Sequence, residues 1–400
     1  MNEPFFPPPS IDPIKNLRSL ERLRVYDSLM INADRWRKAH EYHRQRQNIH
    51  YQSLDQPGIV YGLGVRKIEA PQEVSAQFRN MLWVQVQPGI AIDWEGNPIV
   101  VPEAIDFPFT LPQFSSDDPL TVYLVVSFRD PENLSKKNAQ ETFLETFRLD
   151  QKTVIPIHGE VELCRILWEP GTTKIEKPQD VLFPKPNQLD LRYRLQAKSR
   201  PQANVRIGAL DNLPQNTKDN LSSLMACVSA LYPAFQGVEE VGSVLLRTQQ
   251  SVADYDLFYL SDRDFQTLKE REFQILKDYL KTGGVLFIEA PTGDRSIESL
   301  SALIPEKLNI GSLTWENLGK DHPLRRQPFL FVALPEINRY PIEVWHDGGG
   351  IILVEGELSA AWGFDEELFL SRNDIRTAQE FGINLLHFAW QRRNLTDLLS

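Results

Sequence analysis

Four hundred residues, 42% hydrophobic and 24% charged, exclude a disordered chain and leave room for two globular domains, each able to bury its own core. A net charge of −11 argues against wrapping a nucleic-acid backbone or adsorbing to an anionic membrane, because both need a basic face. The two cysteines, Cys164 and Cys227, form neither a disulfide framework nor a zinc knuckle; both sit in apolar segments, as buried free thiols do.

The opening MNEPFFPPPS has no basic cap and no apolar run, so it predicts an extended proline-rich arm over residues 1–13 rather than a secretory signal. Phe5 and Phe6 would plug a partner's groove, or the arm is loose or lies on its own domain. No stretch approaches the roughly 18 apolar residues of a membrane span, and the expected location is the cytoplasm. Leu17, Leu20 and Leu23 predict a short helical segment around Lys15 to Arg24. Asn32 as N-cap, with Asp34 in the first turn, predicts a helix running to about Gln52. On it Trp36, His40, His43, Gln47 and His50 recur three or four apart and share one face. The three histidines would serve a metal, but HEYH is not the zincin spacing and no carboxylate completes the set. The other readings are a polar-aromatic packing face and a subunit contact.

From Ile59 to about Trp168 the pattern is β. Val60 to Val65 reads as a strand with glycine interruptions. Its GxG lacks the following helix that a phosphate cradle needs, so close backbone approach or a bulge is expected. Leu82 to Val86 alternates, Pro88-Gly89 turns the chain, and Ile90 to Asp93 pairs with Ile99 to Val101 through Trp94-Glu95-Gly96-Asn97. Asp93 reads as a turn-capping carboxylate. Thr121 to Ser127 and Glu160 to Leu167 are apolar strands, with a long loop or irregular excursion expected over Asp130 to Gln151. The proline- and charge-rich stretch 169–204 places the domain boundary near Arg200 to Asn204.

Beyond it the period changes. Strands are predicted at Val205 to Leu210, Leu257 to Leu260, Val285 to Ile288 and Ile351 to Val354. Helices are predicted at Leu221 to Phe235, at Phe265 to Lys281 stopped by Gly283-Gly284, and from a Ser371–Asp374 capping box to about Arg393. The whole predicts α+β followed by α/β: a helix plus a mainly antiparallel β domain over 14–200, then a parallel-sheet α/β domain over 204–393. Ligands of such sheets bind beyond the strand carboxyl ends, where Asp262, Asp264, Glu289 and Glu355 fall. Glu289, His322 and Asp321 would make an acid–base set, although Asp321-His322-Pro323 also reads as a capped turn. Gly348-Gly349-Gly350 reads as a turn.

The segments DLFYLSDRDF, LKDYLKTGGVLFIEAP, DHPL (321–324) and EFGINLLHFAWQRR make the region 204–393 resemble the bacterial DUF4159 family, which is similar to the class I glutamine amidotransferase fold. That resemblance implies a strand-end turn carrying a nucleophilic cysteine in active relatives. Here Gly284 to Ile288 leads into Glu289-Ala290-Pro291, with no cysteine or serine, and Cys227 on a helix is no substitute. The resemblance therefore implies the fold without the reaction.

The segments RVYDSLMINADRWRKAHEYHRQRQNIHY, PGIVYGLGV and QPGIAIDWEGNPIVV resemble the module of phage-tail-like baseplate and fibre-associated proteins. The pairing of the two regions is similar to chains of cyanobacterial contractile injection systems. The resemblance implies a structural, non-enzymatic part docked in or on the baseplate, with the α/β domain as an extension. It implies other baseplate and tail subunits as partners, no cofactor, and a large particle reaching a membrane only through partners. Trp36, His40, Tyr42, His43, Arg44, Arg46, His50 and Tyr51 are the expected docking residues. The alternatives are a hydrolase or amidotransferase-like enzyme using Glu289 and His322, and a ligand or carbohydrate binder using Trp345 and Trp362.

Overall fold

The computed structural model describes residues 19–75, 79, 81–112, 118–130, 145–157, 159–293, 296–308, 316–337, 339–363 and 370–399. The proline-rich arm and the start of the segment expected around Lys15 lie outside the described residues. The chain divides into two compact units, 1–200 and 201–400, described separately below.

The first unit begins with α1 (Ala33–Leu54). Residues 19–24, expected to be helical, are not: so short a segment gains too few hydrogen bonds to offset helix nucleation. Among the described residues nine strands of four residues or more follow: β1 (Gly58–Gly62), β2 (Val65–Ile68), β3 (Leu82–Val86), β4 (Gly89–Ile92), β5 (Pro98–Val101), β6 (Ile105–Phe109), β7 (Leu120–Arg129), β8 (Thr146–Lys152) and β9 (Glu160–Trp168). They form three antiparallel sheets, in the orders β1-β4-β5, β2-β3-β6 and β9-β7-β8. Their inward side chains share one core that includes Val84, Ile99, Leu124, Leu163 and Trp168.

The sheets exchange strands at a crossing that explains the glycine spacing. β1 passes into β2, and β3 into β4, side by side. A Cβ on Gly62 (φ +67°) would sit 2.1 Å from the Pro88 carbonyl oxygen, and one on Gly89 would sit 2.3 Å from that of Tyr61. The ladder also slips between Ile59 and Tyr61. Backbone contact and a bulge both occur there, and no helix follows. The excursion expected over Asp130 to Gln151 needs correcting at its end: Thr146–Lys152 is a strand beside β7, which its alternation of Phe147 and Leu149 with polar residues allows. Residues 131–144 lie outside the described set.

In the second unit β10 (Ala203–Val205) and β11 (Ile207–Leu210) lead into α2 (Gln215–Leu231), followed by β12 (Phe235–Gly237) and β13 (Gly242–Val244). Then come β14 (Leu257–Ser261), α3 (Asp262–Thr267), α4 (Glu270–Lys281), β15 (Val285–Ala290) and α5 (Ser296–Leu308). The chain closes with β16 (Glu316–Asn317), α6 (Pro323–Arg326), β17 (Glu343–His346), β18 (Ile351–Glu355) and α7 (Arg372–Leu399). The seven-stranded sheet has the order β13-β11-β14-β15-β18-β17-β16.

Its first five strands are parallel, but β17 pairs antiparallel with β18, and β16 in turn pairs antiparallel with β17. The expected all-parallel sheet is thus a mixed one, because β17 returns to β18 through the tight turn at Gly348–Gly350 rather than through a crossover helix. The expected helix over Phe265 to Lys281 is two helices, broken at Leu268 and Lys269, each end having its own cap.

Both sheet faces are covered, as uninterrupted apolar strands require. Tyr259, Phe287, Ile352 and Val354 point toward α2 and α7, while Phe258, Leu286, Ile288 and Leu353 point toward α4 and α5. Trp362, fully buried with its Nε1 donating to the Ala378 carbonyl at 2.8 Å, fills the first of these cores. Among the described residues no helix is long and apolar enough to cross a membrane.

Candidate functional site

Two places in the chain gather the residues that the sequence singles out. The first is α1. The Asn32 side chain accepts from the Arg35 amide at 2.9 Å, and Asp34 lies in the first turn, so the positive end of the helix is capped twice. The carbonyl end is capped by Arg200, whose amide donates to Leu54 at 2.7 Å and whose guanidinium donates to Gln52 at 2.8 Å. Between the ends Gln45 bonds Glu41 at 2.8 Å along the surface.

The helix rests on the β4–β5 turn. Asp93, buried, accepts from the Glu95 amide, the Asn97 amide and the Asn97 side chain at 2.8–3.0 Å. Burial raises its pKa against those hydrogen bonds. Its role as a turn-capping carboxylate is therefore visible in atoms. On this braced turn Gln52 donates to the Glu95 carbonyl at 2.7 Å and the Asn48 and Asn97 side chains meet at 2.8 Å, while Arg44 pairs at 2.7 Å with Asp130, directly after β7. Arg44, Asn48 and Gln52 recur every four residues, so they form the face toward the domain.

Trp36, His40, His43 and His50 lie on another face and are exposed. Trp36 is 57% exposed, with its ring 5.1 Å from that of His40. The Arg46 guanidinium lies 5.9 Å from the Tyr42 ring, and His50 packs edge-on to Tyr51 at 5.6 Å. None of the 22 residues of α1 is buried. The structure thus does not give this stripe a packing role inside its own chain. It also removes Arg44 from the free set, since Asp130 and Glu41 hold it. Among the described residues no three His, Cys, Asp or Glu side chains are placed to hold a metal ion.

The second place is the carboxyl edge of the α/β sheet. Glu289, buried near the end of β15, accepts from Tyr259 Oη at 2.9 Å, from the Ser359 amide at 2.8 Å and from Ser359 Oγ. Burial pushes its pKa up, the three donors pull it down, and Glu357 adds a further upward push. Glu355 accepts from the Gly293 amide at 2.9 Å, and Asp264 forms a capping box with Ser261. Asp321 pairs with Arg326 on the surface at 3.1 Å.

His322 is the N-cap of α6: its Nδ1 accepts from the Leu324 amide at 3.2 Å, and its ring lies 4.3 Å from His346 and 5.5 Å from Phe388. No hydrogen bond among the described residues joins Glu289 to His322; each has its own cluster. The capped-turn reading of Asp321-His322-Pro323 is the one seen. Trp345 lies half-buried against the core and Trp362 is fully buried, so neither forms an open sugar platform. Burial pushes the Cys227 thiol up to about 11 and also raises Cys164, which keeps both protonated near neutrality.

Burial and the adjacent His346 push His322 down to about 4. The unfolded imidazole titrates near 6.5. Between those values the unfolded chain takes up the proton first, so this contribution to stability is complete above about pH 6.5 and disappears as pH falls through about 4. Thermal unfolding followed from pH 7 to 4 is expected to show a smaller loss in His322→Asn, which keeps a capping acceptor but does not titrate. Equal losses in both proteins would refute that role.

The sheet order, its two covered faces and the carboxyl-edge cluster define a doubly wound α/β domain, which follows an antiparallel β unit in the sequence. Residues 203–390 match the family described as a domain of unknown function, DUF4159, so the chain carries a DUF4159 domain. No curated protein matches the chain.

Proposed function

We propose that the chain is a structural part of a phage-tail-like contractile injection system. Its first unit docks in or on the baseplate through α1, and the DUF4159 domain, read as an amidotransferase-like scaffold without its nucleophile, is an extension. One observation carries this reading. α1 has an exposed row of aromatic and basic side chains and buries no residue in its own chain. Helices owe most of their stability to a packed face, and aromatic residues with arginine are enriched where proteins meet. A neighbouring subunit laid on the Trp36–His50 stripe supplies the missing face. The separate clusters of Glu289 and His322 favour no catalytic reading.

The double variant Tyr42→Ala, Arg46→Ala is expected to fold as the parent does, since neither side chain is buried. It is expected to be missing from assembled particles purified from cells that express it. Normal incorporation, measured by quantitative mass spectrometry of the particle, would rule out α1 as the docking element.

A further inference from the structure

A groove of about 430 Å³ opens in the second unit beside the second half of α7, the end of α2 and the residues after α6. Its size is within the range of about 300–1,000 Å³ usual for small-ligand sites. Three aromatic rings line it, Tyr232, His387 and Trp390, together with four carboxamides, Gln202, Gln327, Gln391 and Asn394; no charged side chain does.

The rings are fixed from behind. His387 stacks on the fully buried Phe235 at 5.4 Å and 19°, while Trp390 and Tyr232 meet Phe235 edge-on at 5.0 and 5.2 Å. The polar groups are uncommitted. Among the described residues, the side chains of Gln202, Tyr232, Gln327, Trp390, Gln391 and Asn394 make no hydrogen bond to the protein. His387 Nδ1 is shut off from solvent without a partner. Asn384 on the same helix shows the contrast: it accepts from the Phe329 amide and donates to the Leu324 and Phe329 carbonyls at 2.7–2.9 Å.

The geometry points to this groove as a binding site for a neutral polyhydroxylated ligand, a sugar ring or short uncharged glycan. A sugar offers an apolar C–H face to stack on a fixed aromatic ring and a rim of hydroxyls that both donate and accept. A carboxamide also does both, so four of them match hydroxyls on either side of a stacked ring. A proline-rich peptide offers carbonyls that only accept, which leaves the carboxamide oxygens without donors. An anionic ligand would lack a countercharge. Burial holds His387 below its ordinary titration range, which keeps the wall uncharged near neutrality. This inference is independent of the docking reading, because it uses no residue of α1.

The test is saturation-transfer NMR on the full chain with maltose, cellobiose and N,N′-diacetylchitobiose, and separately with a polyproline peptide. Saturation is expected to reach at least one disaccharide. Its affinity should fall about tenfold or more, roughly 1.4 kcal/mol, in Trp390→Ala and in the double variant Gln391→Ala, Asn394→Ala. It should be unchanged in Trp36→Ala. The double variant removes no core side chain and decides the matter if Trp390→Ala misfolds. Transfer to none of the disaccharides, transfer that survives the double variant, or transfer to polyproline alone overturns the assignment.

Discussion

Replacing Gly96 with alanine is expected to unseat α1 while the β strands beneath it stay folded. Gly96 has φ +79°, and a Cβ built there lies 2.4 Å from the Asn48 carbonyl oxygen and 2.9 Å from its Cα. Those are backbone atoms of the helix, so no rotamer change relieves the clash. The left-handed conformation alone costs an L-residue about 1–2 kcal/mol, and lifting the helix also breaks the Gln52–Glu95 and Asn48–Asn97 contacts, each worth about 1 kcal/mol. Hydrogen exchange should accelerate over the second half of α1 and change little in β3 and β7. Gly171→Ala supplies the control: its φ is +78° but nothing lies within 4 Å of the new Cβ, so it carries the backbone cost without the clash. Equal exchange in the two variants would show that helix and turn are not in contact.

Glu289→Ala is expected to destabilise the DUF4159 domain by about 3 kcal/mol, because it leaves Tyr259 Oη and the Ser359 amide and hydroxyl buried without their acceptor. For a domain of this size that is a fall of about 6–12 °C in melting temperature. Ser359 leads into the turn Ala360–Trp362, so the damage should spread to the indole of Trp362, visible as a red-shifted fluorescence. Glu289→Gln keeps two polar atoms in place without a buried charge and should retain most of the stability. The sign of the pKa shift agrees: a carboxyl raised by burial is held more easily in its neutral form, and its contribution weakens as pH rises through the folded value. A Glu289→Ala protein that melts with the parent would mean that the loop is held by other contacts.

The legible parts of the sequence were those with local chemistry. Asn32, Asp93, Gly283 and the Ser371–Asp374 pair each set an element boundary through their own hydrogen bond or backbone conformation, and each does so in the structure. Helical spacing turns Ile375, Ala378, Phe381, Leu385 and Phe388 of α7 inward; the middle three are fully buried, and Ile375 and Phe388 are half-buried. What sequence could not give was pairing. β17 is antiparallel because of a turn whose glycines allow many conformations, and nothing local says which neighbour Glu343–His346 will find. The same holds for Glu289: the carboxylate stood out, but Tyr259 and Ser359 lie 30 and 70 residues away. The groove did leave a trace. His387, Trp390, Gln391 and Asn394 fall at the i, i+3, i+4, i+7 positions of α7, a second stripe beside the apolar one, hidden because attention to the core follows the more hydrophobic face.

The seat of α1 has a mechanical consequence. Its visible fastenings are amide contacts to a braced turn, the hydrogen bonds from Arg200 at its end and one guanidinium–carboxylate pair with Asp130, and no residue of the helix is buried. Such a fastening behaves like a clip rather than a weld. On meeting a neighbour such a helix can exchange a few of these hydrogen bonds for others without removing any buried contact from the strands below. Its angle should also respond to ionic strength, since salt screens the exposed Arg44–Asp130 pair, so the same molecule can present a different approach direction in dilute and in concentrated electrolyte.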